Sequence, residues 1–165
     1  FFKDVRKFGR IYYSENLDWL ESKLGIEPLS EKFTSKYLYQ HLQQKNRQMK
    51  PLLLDQSFIA GLGNIYVDEA LWYAGIHPLM IASQISEKQS KKLYEGIQSI
   101  LLNAIAVKGT TIINFSYGEN GRGNYKDQLN VFGETNNPCP KCKTIIQKIF
   151  VGQRGTHFCP ACQPN

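Results

Sequence analysis

Apolar residues recur at three- and four-residue spacing in several stretches, and the longest makes the clearest element. Leu93, Ile97, Ile100, Leu101, Ala104 and Ile105 form one stripe, so a helix is predicted from Ser86 to about Val107. Upstream, Tyr37, Leu38, His41 and Leu42 share this spacing behind Thr34 or Ser35 as a cap. That predicts another helix and makes His41 a packed structural residue. A shorter helix is expected over 14–24, with Ser14 or Asn16 as cap and Leu17, Leu20 and Leu24 on one face. Gly25 to Pro28 ends it. Residues 1–13 lack the helical period. Their aromatic and β-branched side chains predict a strand, a turn at Gly9 and a second strand.

Between these helices lies a run that begins Pro51-Leu-Leu-Leu-Asp55 and continues through Gly61-Leu-Gly63-Asn64 to Gly75. Pro51 suits a first helical turn. It also disfavours helix at Lys50. The run reads as helix, two-glycine turn, helix. Asn64 is expected to cap the second helix, which ends near Gly75. Glycines let a foreign backbone approach closely, and the free N–H groups at a helix start make a phosphate seat. Asn64 is placed to cap and also to donate to a phosphate oxygen. Just before this run, Lys45, Arg47 and Lys50 cluster, either as phosphate contacts or as a solvated helix end. There is no Walker lysine and no GxGxxG pattern, which excludes a nucleotide loop. After the long helix, residues 116–125 are polar and glycine-rich, a linker or a functional lid.

Charge sharpens the picture. The net charge of the 165 residues is +6, and it sits at the ends. Residues 1–10 carry Lys3, Arg6, Lys7 and Arg10 against Asp4, which gives +3; residues 131–165 carry Lys141, Lys143, Lys148 and Arg154 against Glu134, which gives +3 again. The middle therefore sums to zero. Positive charge gathered in short end segments favours a polyanionic partner, nucleic acid above all, over evenly solvated surface charge. No stretch is long and apolar enough to span a membrane. The start at Phe1 has no initiator Met and reads like the middle of a strand, so a fragment of a longer protein is expected.

The strongest chemical signal is Cys139-Pro-Lys-Cys142, sixteen residues, then Cys159-Pro-Ala-Cys162. In each pair both thiolates reach one ion from a tight turn, and two pairs complete a tetrahedral four-cysteine zinc site. Paired disulfides need an oxidising compartment. A redox CxxC needs only one pair and a βαβ context. His157 is a competing nitrogen ligand, expected beside the metal or on the surface because four spaced thiolates already suffice. Such a site is closed, so the single Zn²⁺ is structural. It is expected to pin the intervening loop, which carries Lys148 and Arg154.

With both motifs in view, the chain resembles bacterial formamidopyrimidine-DNA glycosylase, over its C-terminal portion. The residues that carry the resemblance are Asp4-Val-Arg-Lys-Phe-Gly9, the run from Asp55 to Glu69 with its Gly-Leu-Gly-Asn turn, and Gly155-Thr-His-Phe-Cys-Pro-Ala-Cys-Gln163. The resemblance implies a mainly α fold with a small β zinc module. A helix-two-turn-helix bundle would be followed by a four-cysteine zinc β-hairpin finger and preceded by a remnant strand or hairpin of an N-terminal β-sandwich. The implied divisions are 1–13 for the sandwich strands, 14–130 for the DNA-binding helical domain with a lesion-recognition loop at about 109–125, and 131–165 for the finger.

The family's activity is excision of oxidised purines such as 8-oxoguanine and formamidopyrimidines in base excision repair, coupled to AP lyase chemistry. By resemblance, Arg6 fills the gap left by the flipped base and Phe8 wedges beside it, because extraction costs a few kcal/mol of unstacking. Lys45 falls at a basic DNA-contacting position, with Lys50 in the same basic cluster. Asn64, Lys148 and Arg154 hold phosphates. Thr110, Ile112, Ile113, Asn114 and Phe115 belong to the lesion loop. Phe132 stands where many members carry a tyrosine that touches phosphate, so that contact should be absent. Arg154 matches the residue assigned to δ-elimination. A guanidinium rarely gives up a proton, so electrostatic stabilisation of the leaving phosphate is the better-founded role.

The family's proline nucleophile and adjacent glutamate match nothing in these residues, so the chain alone is expected to be catalytically dead. The implied partner is double-stranded DNA with oxidised purine lesions, bound by a monomer in the bacterial cytoplasm at the nucleoid, with no membrane. Two other readings stand beside this one. One is a zinc-ribbon nucleic-acid-binding module, which needs neither the glycine turn nor the Asp4–Gly9 strand. The other is the endonuclease VIII branch, which acts on oxidised pyrimidines.

Overall fold

The computed structural model describes residues 8–110 and 123–165. Along the chain run α1 (Asp18–Glu21), α2 (Ser35–Gln43), α3 (Met49–Leu53), α4 (Asn64–Ala74), α5 (Glu87–Ala106), β1 (Gln147–Val151) and β2 (Arg154–Phe158), with single 3₁₀ turns at Ala82–Gln84 and Tyr125–Gln128. The fold is mainly helical with one antiparallel β-hairpin.

Local chemistry explains three of the helix ends. Thr34 Oγ1 accepts from the Tyr37 N–H at 3.1 Å and starts α2. Ser86 and Gln89 form a reciprocal capping box at the head of α5. Gly75, at φ 70°, ends α4 in the left-handed conformation. His41 stacks on Tyr37 with ring centroids 3.8 Å apart and bonds to the Tyr37 carbonyl oxygen, which is the structural role expected of it.

Elsewhere, tertiary contact overrides the local reading. Gly63, not Asn64, is the cap of α4, and Asn64 is its first helical residue. Lys50 is helical despite preceding Pro51, because its N–H donates to Pro78 O while that of Met49 donates to Met80 O. The helix begun there ends at Leu53, well before the glycine turn. Asp55 Oδ1 accepts from both the N–H and the hydroxyl of Ser57, an Asx turn that competes with the helix.

The expected helix over 14–24 shrinks to the four residues of α1, which has no side-chain cap; Leu17, Leu20 and Leu24 are all exposed, Leu17 at 59%, so the leucine face gains little burial. Residues 8–13 form no strand. A two-stranded ribbon is marginal without a surface to pack on. Residues 1–7 lie outside the described ones. Ile105, placed in the α5 stripe by its spacing, is 63% exposed and lies off the buried face.

The main core joins α2, α3, α4 and α5 through fully buried residues such as Leu42, Leu53, Leu71, Leu93 and Ile97. Gly96 lets α5 approach α4 closely, since a Cβ there would stand 2.8 Å from Cδ1 of Tyr73. A second cluster of Trp72, Val131, Cys139, Ile146 and Cys159 seats the finger on the far end of α4.

Candidate nucleic-acid interface and metal centre

The four cysteine sulfurs lie within 4.8 Å of one another. The closest pairs are Cys142–Cys159 and Cys142–Cys162 at 3.4 Å, and Cys139–Cys162 at 3.9 Å. A tetrahedral ion with metal–sulfur bonds of about 2.3 Å requires sulfurs about 3.8 Å apart. The thiols are unbridged. The indole N–H of Trp72 points at Cys139 Sγ from 3.4 Å, a donor suited to a thiolate. The hydroxyl and N–H of Thr144 lower the Cys142 thiol to about 6, while burial raises Cys159 and Cys162. As free acids the four are unequal, and a divalent ion takes all of them as thiolates. The donor set fits structural zinc.

His157 is neither a ligand nor a surface residue. It is buried, its N–H donates to Asp68 Oδ2 at 2.9 Å, and its ring packs edge-on against Phe132. Its Nδ1 stands 3.4 Å from Asp68 Oδ2 without the geometry of a hydrogen bond.

The finger is locked to α4 by two adjacent carboxylates, Asp68 and Glu69, both buried. Glu69 accepts from the backbone N–H groups of Asn130, Val131 and Phe132 and from the Asn130 amide. Asp68 accepts from His157 N and from the Lys50 ammonium. At the end of the helix, Lys141 lies 3.8 Å from the Trp72 ring centroid and donates to the Trp72 and Tyr73 carbonyls. Gln163 bridges Cys159 N and Ile76 O. None of these roles was assigned from the sequence. The available signal was two acids in a helix that is otherwise apolar, Ile65-Tyr-Val-Asp68-Glu69-Ala-Leu-Trp72: buried carboxylates require partners.

The hairpin carries the basic residues. Its register pairs Lys148 with His157 and Val151 with Arg154. Gly152 and Gln153 make the turn between them at φ 54° and 63°, the positive values that a two-residue hairpin turn uses. Lys148 and Arg154 are exposed. A Cβ at Gly155 would stand 3.2 Å from Lys148 Cε, so the Lys148 stem lies over that glycine.

Asn64 Nδ2 donates to the Gly155 carbonyl at 3.1 Å, which joins the start of α4 to the hairpin beside Arg154. Its Oδ1 is buried without a hydrogen-bond partner. Across the glycine turn, Gly61 sits at φ 80° and Gly63 is extended; a Cβ at either would meet only open space.

Asn64, Lys148 and Arg154 therefore come together. Lys45 is partly exposed and Phe8 is 81% exposed, and the hydrogen bonds, ion pairs and ring contacts among the described residues join neither to this group. Lys50 does not belong to a phosphate-binding surface. It has no exposed area, and its ammonium is taken by Asp68 and by the Gly155 carbonyl at 3.1 Å. Burial pushes its pKa down, against the opposing pull of Asp68. The third member of the basic cluster, Arg47, pairs with Asp55 at 2.7 Å. Thr110 bridges to Asn124 and its hydroxyl lies 3.2 Å from that of Tyr66. Arg6, Ile112, Ile113, Asn114 and Phe115 lie outside the described residues.

Comparison with known proteins gives a consistent picture. A family model described as the formamidopyrimidine-DNA glycosylase H2TH domain matches residues 24–116, and one described as a zinc finger found in FPG and IleRS matches 136–165. The formamidopyrimidine-DNA glycosylase of Chloroflexus aggregans is 44% identical over 164 residues, covering 98% of this chain and 60% of its own length. That of Protochlamydia amoebophila is 45% identical over 166 residues, with the same shares. The chain thus spans about 60% of the length of these relatives. Among solved structures, the MutM (Fpg) protein of Thermus thermophilus superposes with TM-score 0.89 at 35% identity, covering 97% of this chain and 62% of that one. A complex of the Lactococcus lactis Fpg with DNA containing an abasic site superposes at 0.82 with 42% identity, covering 89% and 54%. With its helix–two-turn–helix and four-cysteine finger both matched, the chain belongs to the formamidopyrimidine-DNA glycosylase family.

Proposed function

We propose that this chain is the DNA-binding part of a bifunctional DNA glycosylase and AP lyase that excises oxidised purines, 8-oxoguanine and formamidopyrimidines, in base excision repair. The observation that carries this reading is the Asn64–Gly155 bond. It sets the head of an eleven-residue helix, an open glycine turn and the exposed Arg154 side by side. Helix N–H groups, a guanidinium and the nearby Lys148 ammonium together suit phosphate oxygens. Both glycines leave room for a foreign backbone.

In this reading residues 1–13 belong with a β-sandwich, 14–130 form the DNA-binding helical domain, and 131–165 form the finger. Arg6 and Phe8 occupy the gap left by the flipped base. Lys45, Asn64, Lys148 and Arg154 hold phosphates. Thr110 and residues 112–115 serve the lesion loop at about 109–125. Arg154 also stabilises the leaving phosphate in the δ-elimination step. The partner is lesion-bearing duplex DNA, bound by a monomer in the bacterial cytoplasm. The nucleophile implied by the family is not among the 165 residues, so this chain alone does not release the base.

Three measurements test the reading. In fluorescence anisotropy on an 8-oxoguanine duplex, Arg154→Ala and Lys148→Ala should each lower the slope of log affinity against log salt by about one; an unchanged slope removes the phosphate role. Borohydride should trap no covalent adduct with the chain alone, and an adduct would overturn the claim of inertness. Tighter binding to thymine glycol than to 8-oxoguanine duplex would transfer the reading to oxidised pyrimidines.

A further inference from the structure

Two donors converge on one backbone carbonyl next to the proposed phosphate contact. Lys50 Nζ, from α3, and Asn64 Nδ2, from α4, both lie 3.1 Å from the oxygen of Gly155. Gly155 directly follows Arg154 at the start of β2. Lys50 is wholly buried, and its other partner is Asp68, whose second oxygen holds the N–H of His157 on the same strand. The ammonium therefore reaches no solvent and no ligand, while β2 is gripped at residues 155 and 157 by one ion pair. The opposite strand pairs with β2 through its backbone, and its nearest side chain, the Lys148 stem over Gly155, is exposed. Gly155 has no side chain, and its partner Phe150 is 76% exposed.

We infer that Lys50 is a positioning residue, which with Asp68 fixes the Gly155 carbonyl and so sets where the Arg154 guanidinium meets phosphate. This rests on the phosphate role of Arg154 given above. A buried lysine of this kind carries no phosphate contact of its own, and its effect on DNA must pass through Arg154.

The test is a double-mutant cycle in the 165-residue chain. Lys50→Met paired with Asp68→Asn removes both buried charges together and leaves an oxygen to accept from His157 N, which avoids a lone buried carboxylate. Zinc stoichiometry and thermal melting verify the fold. Backbone ¹⁵N order parameters should fall at residues 154–156 and hold at the zinc knuckles. Duplex affinity should drop about tenfold, the equivalent of one charge-assisted hydrogen bond. In the Arg154→Ala background the same pair of changes should leave affinity unaltered.

An equal loss in both backgrounds would overturn the inference, since Lys50 would then act on DNA directly or through the whole fold. Unchanged order parameters would overturn it as well. If order at 154–156 falls while Arg154→Ala alone leaves affinity intact, the anchoring of the strand stands and the phosphate role of Arg154 falls.

Discussion

A lysine that follows Lys45 and Arg47 in sequence reads as surface charge, yet Lys50 has no exposed area. Removing an ion from water costs several kcal/mol, which only a matched partner offsets. Asp68 is that partner, eighteen residues away along the chain. Arg47 shows the opposite regime. Its pair with Asp55 is half in solvent, so its worth is screened and stays under about 1 kcal/mol. The Arg47 guanidinium, with help from the Ser57 hydroxyl and N–H, lowers the Asp55 carboxyl from 3.8 to about 2. A depressed carboxyl contributes stability above its unfolded value and loses it as pH falls through the folded one. The pair should therefore be intact above about pH 4 and lost on descending through about pH 2. Carbon-detected NMR titration of Asp55 checks this, and Arg47→Met should return the midpoint toward 3.8. An unmoved midpoint would assign the shift to Ser57 alone.

At the scale of elements, close backbone approach decides how the helices seat. Gly25 N–H donates to Gln56 O, and Ile26 pairs with Ile59 in a single bridge. This ties the segment after α1 to the turn before α4. A Cβ on Gly25 would fall 2.4 Å from both C and O of Phe58, and main chain cannot swing aside as a side-chain tip can. Gly25→Ala should destabilise the chain by about 2–4 kcal/mol in urea unfolding. Gly63→Ala, where nothing stands within 4 Å, should change stability far less. Equal effects would show that backbone entropy, not collision, governs both sites. The strong apolar period of α5 behind Ser86 made that element legible in the sequence. α1 was overread because leucine spacing was present without a surface to cover it, and Leu17 and Leu24 remain exposed at 59% and 38%.

For the whole molecule, α4 is the common member of both cores. One end packs among α2, α3 and α5, and Trp72 near the other end enters the cluster around the zinc ligands. The metal holds the hairpin, the hairpin presents Lys148 and Arg154, and the two acids of α4 fix its bearing. Chelation of zinc should therefore abolish duplex binding while far-UV circular dichroism keeps most of its helical signal, because the main helical core contains no cysteine. Undiminished binding by zinc-free protein would contradict this arrangement, and so would loss of the helices together with the metal.

The metal site, the existence of α2, α4 and α5 and the glycine turn followed from sequence alone. Each depends on residues a few positions apart, such as CxxC pairs, two glycines, or a stripe at helical spacing, and local geometry suffices to join them. Only the tertiary structure decided that Lys50 is buried, that Asp68 and Glu69 hold the finger, and that Asn64 donates to Gly155 instead of capping its own helix. Those partners lie between 18 and 105 residues apart. A sequence records that a buried carboxylate needs a donor; which donor arrives is settled by packing of the core, which brings distant chain segments together and leaves no water to compete.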